Sequence, residues 1–188
     1  MGSYDVFLRF FFELGMLKTT HRTGWSLLGY KQSESVADHC LRAAQIGYIL
    51  ANLEGYDHPE KIVSMLVFHD IGECRTGDIH KVASRYVRSD EKTAVSDQLK
   101  LLGEIGEKIM NHWDEMESLS TTAGRIAKDA DLLEMAVTAI EIMKHTGADT
   151  SDWIDNTEKR LSTSSAKELI HRLRNANPSE WWRDLKKF

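Results

Sequence analysis

The chemistry available to this chain is concentrated in one short segment, Val67-Phe68-His69-Asp70-Ile71-Gly72-Glu73-Cys74-Arg75-Thr76-Gly77-Asp78. An imidazole and a carboxylate stand side by side at His69-Asp70, a second carboxylate follows at Glu73, and a Gly77-Asp78 turn supplies a third. Such a set offers both metal ligands and proton carriers, the equipment of a hydrolytic metal site. A lone His-Asp dipeptide occurs by chance in most proteins, so the weight falls on whether other segments supply the missing ligands.

Those segments are read as helices. Val6, Phe7, Phe10, Phe11, Leu14 and Leu17 recur at three- and four-residue steps, which predicts an amphipathic helix over 4–17. His21 to Trp25 reads as a loop. Ser35 and Asp38 form a capping box that opens a helix ending near Gly55, with Val36, Cys40, Ala43, Gly47 and Leu50 on its buried face. Pro59 suits the first turn of the next helix. Ile62, Val63, Leu66 and Val67 make that helix apolar enough to be central, and it delivers His69-Asp70 at its end. Residues 72–89 read as loop with at most a short helical turn. A helix then runs from Asp90 to Ile109, with a break near Gly103–Gly106. Thr121 or Thr122 caps a long helix closed by Gly147, with Ile126, Ala130, Leu133, Val137 and Ile140 as its stripe. Two shorter helices, about 151–161 and 165–175, precede Trp181-Trp182, which is expected to cover the end of the core. No segment alternates with period two, so the expected fold is all-α, one domain over 1–188 with seven to nine helices.

Composition fits this reading. A chain of 188 residues with 41% hydrophobic and 28% charged residues has room for a single substantial core. A net charge of −5 without a long basic run argues against a nucleic-acid polymer as partner. The first apolar stretch is interrupted by Arg9 and Glu13 and is too short to span a bilayer. The two cysteines, Cys40 and Cys74, lack CxxC spacing and read as reduced thiols of a cytoplasmic protein.

Two further ligands stand on these helices. His39 lies about one turn inside its helix, and Asp131 sits mid-helix in Lys128-Asp129-Ala130-Asp131. A carboxylate facing a packed core is costly unless a cation or donor neutralises it. On composition Asp129 is as good a candidate as Asp131. Two imidazoles and two carboxylates suit one divalent ion of the Mn, Fe, Co, Ni or Zn group and leave positions for water. Spacing alone does not bring the four together.

The order His39, His69-Asp70, Asp131 resembles the HD-domain superfamily of metal-dependent phosphohydrolases. The likeness extends to Arg22-Thr23-Gly24-Trp25, to Glu34-Ser35-Val36-Ala37-Asp38-His39, to His69 through Glu73 with Gly77-Asp78-Ile79, and to Lys128 through Met135. In order and spacing, from about residue 7 to residue 145, these are similar to the HD-domain 5′-deoxynucleotidases (the YfbR-like family and its relatives). That resemblance implies an all-helical fold, commonly homodimeric, with one divalent metal held by His39, His69, Asp70 and Asp131. It implies hydrolysis of deoxyribonucleoside 5′-monophosphates to deoxynucleoside and phosphate, by a hydroxide that the metal generates from water.

Within that resemblance Glu73 takes the place of the catalytic glutamate and handles the proton of the water or leaving group. Asp78 takes that of a second proton-handling or water-orienting group, although an Asp stabilising its own turn reads equally well. Arg22 offers a planar fork of donors for phosphate, and Trp25 a wall that discriminates against a 2′-hydroxyl. On composition alone Arg22 is a solvated cation and Trp25 a core residue; Lys81 and Arg88 lie near the active-site loop, where they either help hold phosphate or, the better reading, belong to a solvated face. His21 and His80-Lys81 stand where relatives often carry proline, and Trp113 through Glu117 only approximates the family's segment. These departures bear on substrate preference. Two other readings stay open: a phosphohydrolase for cyclic nucleotides or nucleoside triphosphates, and a nucleotide-binding module with a structural metal.

Overall fold

The computed structural model describes residues 4–31, 33–183 and 185–186. Ten α-helices occur among them, with short 3-10 segments between and no strand beyond one isolated bridge. Three helices carry the architecture: α2 (Val36–Leu53), α3 (Pro59–Phe68) and α7 (Thr122–Thr146). They pack on one another at a point set by small side chains. A Cβ added at Gly47 of α2 would run into Leu66 of α3 and lie 3.5 Å from Ala130 of α7. Glycine there lets the helices meet without displacing Leu66 and Ile62. His39 lies on the same stripe as Ala43 and Gly47, so the close approach also brings it between the other two helices.

The starts and stops follow local rules. Ser35 and Asp38 form the expected capping box, the Ser35 hydroxyl accepting from the Asp38 amide at 3.1 Å. Thr121, not Thr122, caps α7, and Gly147 ends it in the left-handed region at φ 79°. Helix α7, buried on almost every side, is the central one rather than α3, whose Val67 is 43% exposed. Val137, expected in the buried stripe of α7, is only half-buried.

The flanking elements position the ends of these three. Helix α1 (Asp5–Leu14) buries Phe10, while Phe11 and Phe12 face outward. The expected loop after it contains a 3-10 helix, Thr23–Leu28. Its approach is stitched to the start of α2: the Arg22 amide donates to the Glu34 carbonyl at 3.0 Å and the Val36 amide to the Thr20 carbonyl at 2.8 Å. After His69 the chain turns into the four-residue α4 (Glu73–Thr76). Glu73 thus begins a new helical turn instead of continuing α3.

Helix α5 (Glu91–Leu99) breaks at Lys100–Leu102 and Gly103, and α6 (Glu104–Ser118) follows. Helices α8 (Ser151–Glu158) and α9 (Ser164–Leu173) lie against α7. On the short α10 (Glu180–Arg183), Trp181 is 75% exposed and does not serve as the expected cover, while Trp182 is half-buried. Without the two four-residue segments, α4 and α10, eight helices remain among the described residues, within the expected seven to nine.

Candidate active site

His39, His69, Asp70 and Asp131 meet where α2, the end of α3 and α7 converge. His39 Nε2 lies 3.1 Å from Asp131 Oδ1 and 3.8 Å from Asp70 Oδ2. His69 Nε2 lies 3.1 Å from Asp70 Oδ2 and 3.8 Å from Asp131 Oδ1. Four potential ligand atoms therefore face one another around a common centre, with the imidazole rings 5.3 Å apart. Donor atoms of His39, His69 and Asp70 all lie within 4.8 Å of one another.

Each ring is turned by its other nitrogen. His69 Nδ1 donates to the Leu66 carbonyl at 2.7 Å, which leaves Nε2 as the lone-pair nitrogen. That buried Nε2 has no hydrogen-bond partner. His39 Nδ1 bonds Glu134 Oε2, leaving its Nε2 toward the same centre. Trp113 Nε1 donates to the His69 carbonyl at 3.0 Å and steadies the turn from behind. Two imidazole nitrogens and two carboxylate oxygens aimed together, one nitrogen buried and unsatisfied, fit a divalent cation. No burial of four such groups is economical without a charge among them.

The electrostatics agree. Burial would push the Asp131 carboxyl up, but Lys128, His39 and His69 hold it well below the usual carboxylate range. Burial and Arg22 would lower the His39 imidazole, and the bonds to Asp131 and Glu134 reverse the sign and raise it to about 9. Lys128 Nζ takes the outer oxygen of Asp131 at 2.7 Å.

Asp131 and Asp129, equivalent on composition, are separated by the fold. Asp129 faces the loop before α9 and accepts from the Ser162 amide at 3.0 Å and the Thr163 amide at 2.7 Å. It secures that loop and does not reach the histidines.

A cavity of about 540 Å³ opens over the centre, and Arg22, Trp25, Asp70, Glu73, Asp78 and Asp131 all border it. Arg22 Nη1 sits 3.3 Å from Asp70 Oδ2. Glu73 Oε2 is buried without a hydrogen-bond partner, and burial, then the charges of Asp70 and Asp78, push its carboxyl up to about 9. Asp78 Oδ2 accepts from the Thr23 amide and hydroxyl, the latter at 2.9 Å, so Asp78 ties the Arg22 loop to the end of α4. Trp25 is 2% exposed, donates to Glu34 Oε1 at 3.2 Å and stacks on Trp153 of α8 at 5.8 Å. Lys81 borders the cavity; Arg88 does not.

Glu134, Arg42 and Lys128 were not expected at the site. The available signal was spacing: Arg42 follows His39 by three residues, Glu134 follows Asp131 by three, and Lys128 precedes it by three. Glu134 also interrupts the apolar run Leu132-Leu133-Met135-Ala136 in a helix with no exposed side to spare.

Comparison with known proteins agrees with this geometry. Residues 14–173 match the model of the HD domain family. The chain is 37% identical over 148 residues to the 5′-deoxynucleotidase HDDC2 of Dictyostelium discoideum, covering 73% of this chain and 78% of that protein. It is 32% identical over 141 residues to the 5′-deoxynucleotidase HDDC2 of Danio rerio, covering 73% and 70%. A solved structure of a conserved hypothetical protein from Pyrococcus furiosus superposes with a TM-score of 0.73 at 28% identity, covering 90% of this chain and 99% of that one.

Proposed function

The chain belongs to the HD domain family, and on that premise we propose that it is a metal-dependent 5′-deoxynucleotidase. It takes deoxyribonucleoside 5′-monophosphates and water to deoxynucleosides and phosphate. The observation that carries this reading is the convergence of His39, His69, Asp70 and Asp131 beneath a cavity bordered by Glu73 and Arg22.

His39, His69, Asp70 and Asp131 would hold one divalent ion, with Mn, Co, Fe, Ni and Zn all compatible with the donors. Such an ion supplies Lewis acidity toward phosphoryl oxygens and makes water a competent nucleophile near neutral pH. Arg22 binds the phosphate: its guanidinium already borders the cavity beside Asp70, and its fork matches phosphoryl oxygens. Glu73 carries the proton that the attacking water loses and the departing 5′-oxygen gains as the P–O bond breaks. Its unpartnered oxygen is free to take part, and burial beside Asp70 and Asp78 makes its carboxyl hold a proton more readily than an exposed glutamate does. Asp78 borders the same cavity as the second proton-handling or water-orienting group, and by fastening Thr23 it also positions Arg22. Trp25, locked between Glu34 and Trp153, presents a rigid wall that leaves a 2′-hydroxyl without room or partner.

The whole chain forms one domain in this reading, with α8 and α9 completing it through their packing on α7. We place it in the cytoplasm as a homodimer. The unpaired thiols of Cys40 and Cys74 support the first, and the outward Phe11 and Phe12 of α1 the second. Among the described residues no helix is long and apolar enough to cross a membrane.

The deciding experiment is phosphate release from a panel of deoxy- and ribonucleoside monophosphates, cyclic nucleotides and triphosphates, with Mn²⁺ or Co²⁺ supplied to chelator-treated protein. Release confined to deoxynucleoside monophosphates is expected. Turnover of cyclic or triphosphate substrates instead, or no turnover at all, overturns the assignment. Light scattering on the eluting protein tests the dimer.

A further inference from the structure

We propose that Glu134 and Arg42 are positioning residues for the metal site, acting through His39. Glu134 receives the Nδ1 proton of His39 and so keeps the Nε2 lone pair turned toward Asp70 and Asp131, while Arg42 clamps Glu134 in that place. This rests on reading the four-residue cluster as a metal centre.

Glu134 lies in α7 with no solvent exposure. A carboxylate there is costly unless its oxygens are engaged, and an apolar residue would fill the position more readily. Both oxygens are engaged. Oε2 meets His39 Nδ1, and Oε1 accepts from Arg42 Nε at 2.9 Å and from the Thr138 hydroxyl at 3.1 Å. Arg42 follows His39 by one turn of α2, so one helix supplies both the imidazole and the cation that secures its partner. Arg42 is held in turn: its Nη1 donates to both oxygens of Glu141 at 2.9 Å, and its Nη2 to Thr138.

The donor atoms of Glu34, His39 and Glu134 also lie within 4.8 Å of one another, a spacing that could hold a second cation. A cation already stands there. Arg42 Nη2 lies 2.7 Å from Glu134 Oε1 and 3.8 Å from Glu34 Oε2, so the guanidinium supplies the positive charge that this acidic group needs. The cluster is therefore the support of the neighbouring site and not a metal site of its own.

Without Glu134, His39 loses the bond that selects its tautomer, and a proton on Nε2 removes the lone pair from the centre. The test measures Mn²⁺ affinity of the full chain by competition with a fluorescent chelator, together with the metal-free melting midpoint. The variants are Glu134→Gln, Glu134→Leu, Arg42→Lys, Arg42→Ala and, as a control on the same helix, Asp129→Ala. Glu134→Leu and Arg42→Ala are expected to weaken Mn²⁺ binding by about 10- to 100-fold. Glu134→Gln, which keeps an acceptor for Nδ1–H, and Arg42→Lys, which keeps a cation, should each recover much of the loss. Asp129→Ala should lower the melting midpoint and leave affinity unchanged.

If Glu134→Leu does not fold, Arg42→Ala at the more exposed end of the network carries the comparison. Affinity unchanged in Arg42→Ala, or losses that follow the melting midpoint through all variants including Asp129→Ala, would overturn the proposal. An unsubstituted chain that binds no Mn²⁺ overturns the metal-centre reading itself, a result distinct from normal binding by both native and Arg42→Ala proteins.

Discussion

Asp129 and Asp131 stand two positions apart on α7 and face different neighbours, one the loop before α9 and the other the histidines. Their substitutions should separate cleanly. Asp129→Ala removes an acceptor shared by the Ser162 and Thr163 amides and should cost about 1–3 kcal/mol of stability, read as a lower denaturant midpoint with metal content intact. Asp131→Ala should lose metal and activity together; full occupancy by elemental analysis would mean that this aspartate is not a ligand. Glu73→Ala tests a different function. It should keep the metal and lose about 10²- to 10⁴-fold in turnover, and unchanged turnover would remove Glu73 from proton handling. Residue types along the chain singled out His39, His69, Asp70 and Asp131, which the fold brings together, through the likeness of four short segments to one family. They could not rank Asp131 over Asp129, because that depends on which side of a helix buried on almost every side meets which loop.

At the scale of elements, the site is a product of close helix packing. Gly47 allows α2 to touch α3 and α7, and the same contact fixes the distance between His39 and the turn carrying His69 and Asp70. Gly47→Ala should therefore act twice. Overpacking at Leu66 and Ile62 is expected to cost about 1–3 kcal/mol, and the displaced helices should weaken Mn²⁺ binding more than Asp129→Ala does at equal loss of stability. Equal affinity in the two variants would show that the centre tolerates movement of α2. The helices themselves were largely legible, because capping residues, a first-turn proline and three- and four-residue apolar steps are local signals. Less legible were the 3-10 helix carrying Trp25 and the restart of the chain at Glu73. Both are set by contacts distant in sequence, the Thr23–Asp78 bonds and the donors that Trp113 and Gln98 offer to the His69 and Ile71 carbonyls, which no local propensity encodes.

For the molecule as a whole, four ionisable groups gathered at one crossing, three of them buried, make folding and metal binding a single linked equilibrium. Metal that binds only the folded chain stabilises it by about 2.7 kcal/mol at a free concentration one hundred times Kd. In a domain of this size that corresponds to a rise of roughly 5–10 °C in Tm. Protons compete for the same nitrogens. The His39 imidazole is raised to about 9 in the folded chain, since its carboxylate neighbours outweigh burial and Arg22. Its contribution to the stability of chelated protein is therefore fully present below the unfolded value near 6.5 and is lost as pH rises through about 9. Metal binding needs that proton gone and so strengthens over the same interval. The difference in Tm between Mn²⁺-loaded and chelated protein should consequently widen from pH 6.5 to pH 9, as measured by calorimetry at fixed free metal. A difference that is constant or narrows across that interval would mean that His39 does not exchange its proton for the metal.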